Sequence, residues 1–353
     1  MTNPYALLRA GFPYVKTLSY FYRTRVLYDI AIGKEGRLYV LCMGNSGPIA
    51  SMNLEDEDLG SFGQPGHGFR LPALTAGSVQ SCDVEGGIFG PSQIIVDSNE
   101  DLFVSDEKCH RITAYNRFGE FLGSWGERGS GDGQLHRPSG IAFDAADDIY
   151  VIDTMNHRVQ KFTKDGRYLM KWGSNGNGDG EFDMPWGIAI DDEGDIYVAD
   201  WRNDRIQKFT ADGEFVFKFG ESGSEDGQIS RPAGIAVDKD GDIYVCDWGN
   251  NRIQLFAPDG RFVQKFLGDA TLSKTMLHRM KTSNKKVLRM RESASVEPEK
   301  LFQKPRSVRV DDEGRMYVPD FESHRVQVYQ KEAYPLTEDQ IAEPYRARTL
   351  AVN

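Results

Sequence analysis

Along most of this chain the apolar residues come in short runs that polar turns interrupt. Gly187–Asp191, Ile196–Asp200, Arg205–Phe209 and Glu214–Phe219 are such runs, four to six residues each and rich in Ile, Val, Tyr and Phe. β-Branched and aromatic runs of this length predict strands. Between them lie Asp192-Glu193-Gly194-Asp195, Trp201-Arg202-Asn203-Asp204 and Ala211-Asp212-Gly213. Asp-Gly steps suit tight hairpins because glycine accepts positive φ without steric cost. Four strands joined in this way predict one antiparallel sheet.

The sheet is repeated. Pro91, Pro138, Pro185 and Pro232 stand 47 residues apart, as do Asp106, Asp153, Asp200 and Asp247, and Arg111, Arg158, Arg205 and Arg252. A single period over this length means one supersecondary unit stacked on itself, and a four-stranded unit is a propeller blade. A further copy runs from Pro305 through Asp320 and Arg325 to Tyr329, and a weaker one covers Asp29–Ile32 and Leu38–Val40. The pattern predicts an all-β, six-bladed β-propeller of four-stranded antiparallel blades over residues 11–330. The last blade lacks a fourth strand. Gly11–Leu18 supplies it, with Gly11 and Lys16 set against Gly166 and Lys171. The N-terminal strand would then complete the last blade and leave no interior edge unpaired.

The phrases Pro-x-Gly-Ile-Ala-x-Asp, Ile-Tyr-Val-x-Asp and Asn-x-Arg-Ile/Val-Gln, with the spacer Gly129-Ser130-Gly131-Asp132-Gly133-Gln134, resemble NHL repeats. The resemblance is strong over 91–268 and 305–329 and weak over 24–55, where Cys42 and Gly47 replace the usual Asp and Arg. It implies a six-bladed propeller. It implies no single activity, since RNA binders, protein binders and a few enzymes share the repeat.

Two intervals break the ruler. Leu27 to Pro91 is 64 residues and Pro232 to Pro305 is 73. Both excesses fall between an outer strand and the next inner strand, so residues 56–90 and 269–304 are expected to form a partly helical lid on the top face. Leu272, Met276 and Met280 recur every four residues among Lys274, His278, Arg279, Lys281, Lys285, Lys286, Arg289 and Arg291, which predicts a basic amphipathic helix. It either docks on the propeller or receives a partner. In the tail, 331–353, Thr337-Glu338-Asp339-Gln340 reads as a capping box.

A net charge of −11 makes general nucleic-acid binding an unfavourable reading. Cys42, Cys82, Cys109 and Cys246 form no C-x-x-C pair, and a reduced, non-metal role is expected for them. No secretory leader or membrane span is visible, so a cytoplasmic location is expected. The turns between first and second strands are acidic (Asp144, Asp147, Asp148; Asp191, Asp192, Glu193, Asp195; Asp238, Asp240, Asp242; Asp311, Asp312, Glu313) and should form an acidic floor. The connectors into the inner strands carry His136, Arg137, Arg231, Lys304 and Arg306, a cationic mouth.

The recurring Asp/Arg pairs invite a catalytic reading. Their presence blade after blade favours a structural one, because an active site is asymmetric. His110, His157 and His324 share one register and raise the question of zinc. The NHL-like amidating lyase brings zinc histidines to the axis at the start of the inner strands. Here those positions are Tyr28, Ser92, Ser139, Trp186, Ala233 and Arg306, with no histidine. They also lack the Asp, Glu and Asn of a calcium site. No metal or other cofactor is expected. What remains is a ring of Tyr28, Arg137, Trp186, Trp201, Arg231, Trp248, Lys304, Arg306 and Phe321, where aromatic faces beside cations suit an anionic small molecule or an acidic partner segment. Two alternatives stay open: a lyase or hydrolase with Tyr28 and His278 as base and acid, and RNA binding by the top face.

Overall fold

Six four-stranded antiparallel sheets follow one another around an axis in the computed structural model, which describes residues 8–19, 24–44, 48–65, 82, 85–283 and 297–335. Blade 1 consists of Thr24–Ile32, Leu38–Gly44, Ile49–Met52 and Asp58–Phe62. Blades 2 to 5 begin on Pro91, Pro138, Pro185 and Pro232 and end on Trp125, Trp172, Phe219 and Phe266. Blade 6 is Arg309–Val310, Arg315–Asp320 and Arg325–Gln330, completed by Tyr14–Ser19 from the other end of the chain. Its register differs from the expected one by a residue. Thr17 lies opposite Gln327 as Lys171 lies opposite Gln160, so Thr17, not Lys16, takes the place of Lys171. A one-residue slip turns a side chain to the other face, and Lys16 donates instead to the Leu54 carbonyl of blade 1 at 2.8 Å. Leu8–Gly11 and Glu332–Pro335 pair as a separate two-stranded ribbon. The capping box at 337–340 lies outside the described residues.

The core is a ring of six apolar clusters, each filling the seam between two neighbouring blades. Near the axis the inner strands of blades 3, 4 and 5 approach so closely that a Cβ on Gly140, Gly187 or Gly234 would run into the backbone of the next blade. This contact explains the glycine of the repeated Gly-Ile-Ala phrase. At the same register blades 1, 2 and 6 carry Asp29, Gln93 and Ser307, and polar bonds replace the close approach. Asp29 is fully buried and accepts from Ile94 N at 3.0 Å, from the Ser307 hydroxyl and from the Arg309 guanidinium. Gln93 accepts from Ile141 N at 3.0 Å.

Several expectations need correction. Cys82 and Cys109 form a disulfide, whereas Cys42 and Cys246 are buried thiols. Asp58–Phe62 is the outer strand of blade 1, so the first insertion starts after it. In the second insertion a helix spans Lys274–Ser283. It is anchored at the lower rim, not over the mouth: Thr275 donates through its amide and its hydroxyl to Asp56, in the turn between the third and fourth strands of blade 1. Residues 66–81 and 284–296 of the expected lid lie outside the described residues. The acids of the floor are largely neutralised. Lys161 bridges Asp144 and Asp148, Lys208 bridges Asp191 and Asp195, Arg315 meets Asp311, and Lys331 lies within 2.9 Å of Asp238, Asp240 and Asp242. Among the described residues no helix is long and apolar enough to cross a membrane.

Removing one partner of a buried ion pair strands the other charge, whereas a surface pair contributes little. Asp29→Ala is therefore expected to lower the unfolding free energy by about 3–5 kcal/mol. Asp179→Ala, which breaks the exposed pair with Lys218, should cost less than about 1 kcal/mol. Urea unfolding of both variants checks the contrast.

Candidate functional site

The recurring Asp and Arg work inside each blade. Asp153 is fully buried and accepts from His136 N at 2.6 Å, Arg158 Nε at 2.8 Å and Asn156 Nδ2 at 2.8 Å. The other end of Arg158 holds the connector through the Ser130, Gly131 and Gln134 carbonyls. Asp200–Arg205 and Asp247–Arg252 repeat the arrangement. These pairs staple connectors to blades.

At the top, two registers meet. The first is the residue before the proline. Arg137, Met184, Arg231 and Lys304 have left-handed φ of 56°, 51°, 53° and 57°. Each amide donates to the preceding blade: Arg137 N to His110 Nδ1 at 2.9 Å, Met184 N to His157 Nδ1 at 3.1 Å, Arg231 N to Asp204 Oδ1 at 2.7 Å and Lys304 N to Asn251 Oδ1 at 3.0 Å. The histidine register is thus an acceptor position between blades, which Asp and Asn fill equally well.

The second register follows the buried aspartate and holds Glu107, Thr154, Trp201, Trp248 and Phe321. The Arg231 guanidinium lies 5.0 Å from the Trp201 ring centre, and the Lys304 ammonium 4.2 Å from that of Trp248. The two indoles are 6.3 Å apart. Arg306, just past its proline, sits 3.8 Å over Phe321 and 5.6 Å from Tyr28. Tyr28 and Phe321 meet edge to face at 5.4 Å. Cations over aromatic faces are held by the ring quadrupole, by about 0.5–2 kcal/mol each.

Pairing separates these cations from the rest. Arg158, Arg205, Arg252, Arg309, Arg315 and Arg325 and the lysines Lys161, Lys208 and Lys331 all meet carboxylates. The side chains of Arg231, Lys304 and Arg306 meet no carboxylate or carbonyl among the described residues. Burial lowers the pKa of Arg306, against the opposing charges of Tyr28, Glu107 and Glu322. Burial likewise raises that of Tyr28, with Arg306 opposing and Glu107 adding to the rise.

Two expected members of the ring fall away. Arg137 is bonded to Glu107 at 3.1 Å and is not a free cation. Trp186 packs, half-buried, against the seam between blades 5 and 6. The pair Tyr28 and His278 is not brought together. Tyr28 lies midway along the inner strand Thr24–Ile32 of blade 1, whereas His278 is exposed on the helix at the lower rim and lines a cavity with Glu55, Asp56 and Glu57. Glu107 is the mouth residue that the ring did not include. It occupies the Trp201 register in blade 2, and that register was the signal. Below the mouth the axial cavity of about 280 Å³ is lined by aliphatic and aromatic side chains and by one charged group, Arg309, whose guanidinium is paired with Asp29.

Residues 135–162, 182–209, 230–256 and 302–329 match the NHL repeat, so the chain carries four NHL repeats, one on each of blades 3 to 6. No curated protein gives a significant match. Among solved structures the chain is similar to virginiamycin B lyase from Staphylococcus aureus (14% identity, 95% of this chain and 92% of that chain, TM-score 0.53). It is also similar to a gluconolactonase from Xanthomonas campestris (13%, 90% and 89%, 0.56) and to the WD40 propeller domain of Doa1 (11%, 91% and 98%, 0.54). At these identities the likeness is one of fold.

His110 accepts at Nδ1 and must be neutral to do so. Its pKa lies below the ordinary 6.5, first through burial and then through His136 and neighbouring arginines. A histidine whose folded pKa is depressed contributes stability above its unfolded pKa and loses it as pH falls through the folded value. The protein should therefore lose thermal stability below about pH 6.5. In His110→Asn, which copies Asn251, the loss should be smaller. Melting temperatures of both proteins between pH 7.5 and 5 check this.

Proposed function

We propose that this six-bladed NHL-repeat propeller binds an anionic ligand with a flat apolar body on the arc of blades 4 to 6. The observation that carries the reading is the clustering of Arg231, Lys304 and Arg306 over aromatic rings at one mouth, where their side chains meet no carboxylate or carbonyl among the described residues, whereas most strand cations are paired. A half-buried guanidinium is poorly solvated, and an incoming carboxylate or phosphate satisfies its fork of donors with charge-assisted bonds. Trp201, Trp248 and Phe321 hold the cations in place and offer aromatic surface to the body of the ligand. Arg231 and Lys304 are also preorganised, because the backbone of each is bonded to the preceding blade.

Glu107 and Glu322 act on Arg306 from nearby and limit the negative charge that a ligand brings. With a net charge of −11, this favours a small anion or a short acidic segment over RNA, whose phosphate chain the overall field repels.

Matched pairs of probes test the reading: naphthoate against naphthamide and benzoate against benzamide, followed by thermal shift and calorimetry. The acids should stabilise the protein and the amides should not. Arg306→Ala should weaken acid binding by about tenfold or more, the loss of a hydrogen bond to a charged group. Equal binding of acid and amide, or intact binding in the Arg231→Ala/Arg306→Ala double variant, would overturn it. So would salt-sensitive retention on an RNA column with no response to the acids.

A further inference from the structure

We propose that Cys82 and Cys109 form a redox-controlled clasp that does in blade 2 what an asparagine does in blades 3, 4 and 5. In those blades the asparagine three residues after the buried aspartate donates to a connector carbonyl. Asn156 Nδ2 reaches Gly129 O at 2.8 Å, Asn203 reaches Gly176 O at 2.8 Å and Asn250 reaches Gly223 O at 2.9 Å. Each pair is 27 residues apart. Cys82 and Cys109 are separated by the same 27. Both obey the ruler: Cys109 stands 47 residues before Asn156, and Cys82 stands 47 before Gly129. The surrounding contacts are kept as well. Arg111 grips the connector through the Cys82 and Gly87 carbonyls at 2.8 and 2.6 Å, as Arg158 grips Ser130 and Gln134.

The substitution changes the kind of clasp. An amide-to-carbonyl bond forms in any compartment. A disulfide forms only when two thiols give up two electrons and two protons. The acceptor is a disulfide, either of a protein dithiol oxidoreductase or of oxidised glutathione. One cysteine thiolate attacks it, a mixed disulfide results, and the second cysteine displaces the reduced thiol. Cys82 and Cys109 are partly exposed, whereas Cys42 and Cys246 are buried, so exchange is confined to the clasp. When reduced, Cys109 offers a weak S–H donor in place of an amide. The turn that it leaves loose carries Glu107, bonded to Arg137, and His110, the acceptor of the Arg137 amide. The tether therefore ends beside the mouth, in a blade that lacks the hydrogen-bonded clasp of blades 3 to 5.

The test uses the full chain equilibrated in glutathione redox buffers, with peptide mapping of the Cys82–Cys109 link and melting curves with and without dithiothreitol. Reduction should lower the melting temperature of the unaltered protein by about 5 °C. Cys109→Asn, which restores the asparagine of the other blades, should be indifferent to dithiothreitol and should melt above the reduced protein. Cys109→Ala should be equally indifferent but melt with the reduced protein. Three results would overturn the proposal: no linked peptide in oxidising buffer, a melting temperature unchanged by reduction, or Cys109→Asn melting no higher than reduced wild type. The last comparison stands even if Cys109→Ala fails to fold.

Discussion

The buried aspartate at the end of each second strand is the constraint on which the rest of the molecule depends. It is fully buried in blades 2 to 6. A carboxylate in that position is tolerable only when several donors meet it. Asp153, Asp200 and Asp247 each collect a backbone amide from the connector, the arginine five residues on and the asparagine three residues on. Those donors tie the connector to the turn, and this places the residue before the next proline. The left-handed backbone of Arg137, Arg231 and Lys304 is costly for a residue with a side chain. Bonds to the preceding blade stabilise it. The spacing of the mouth thus follows from the clasps beneath it.

The same logic sorts the charges. On the lower face, acids that look exposed in the sequence are used twice: their oxygens accept the amides of their own turns, and their remaining charge meets a lysine or arginine from a neighbouring strand. On the upper face the acceptor positions are taken by backbone amides, so Arg231, Lys304 and Arg306 find aromatic rings, and of the cations entering the inner strands Arg137 meets a carboxylate, Glu107. An arginine over an aromatic ring keeps its in-plane donors available. A face built in this way holds its cations in position without pairing them, unlike the salt-bridge network below.

Much of this was legible in the sequence because the fold is periodic. The ruler placed the blades, and it brought the register before proline beside the register after aspartate, which put Arg231 near Trp201 and Lys304 near Trp248. Features that depend on breaks in the repeat were harder to read. Asp29 and Arg309 are 280 residues apart and meet only because the ring closes. Glu107 puts a carboxylate into a register that Thr154, Trp201, Trp248 and Phe321 fill in the later blades. Cys82 lies beyond an insertion that hides its register. The helix at 274–283 had the expected amphipathic spacing, but spacing reports a face and not its neighbour, and the neighbour proved to be the lower turn of blade 1. The register of Tyr14–Ser19 was hard to read for a similar reason, since that strand comes from the far end of the chain and no 47-residue interval sets it against Arg325–Gln330.

Closing a ring sets one seam apart from the others. Between blades 2 and 6 each acceptor in the histidine register receives an amide from the next blade. At the last seam His324 faces blade 1, which has no proline turn, and its Nδ1 is buried without a hydrogen bond among the described residues. Other contacts hold that seam. Asp29 takes Ser307 and Arg309 from blade 6 near the axis, and Lys16 reaches Leu54 farther out. Tyr28 and Arg306, the deepest members of the mouth, belong to the two blades of this seam. Their contact exists only when the ring is shut, so the proposed binding arc and the closure of the propeller share one structural origin.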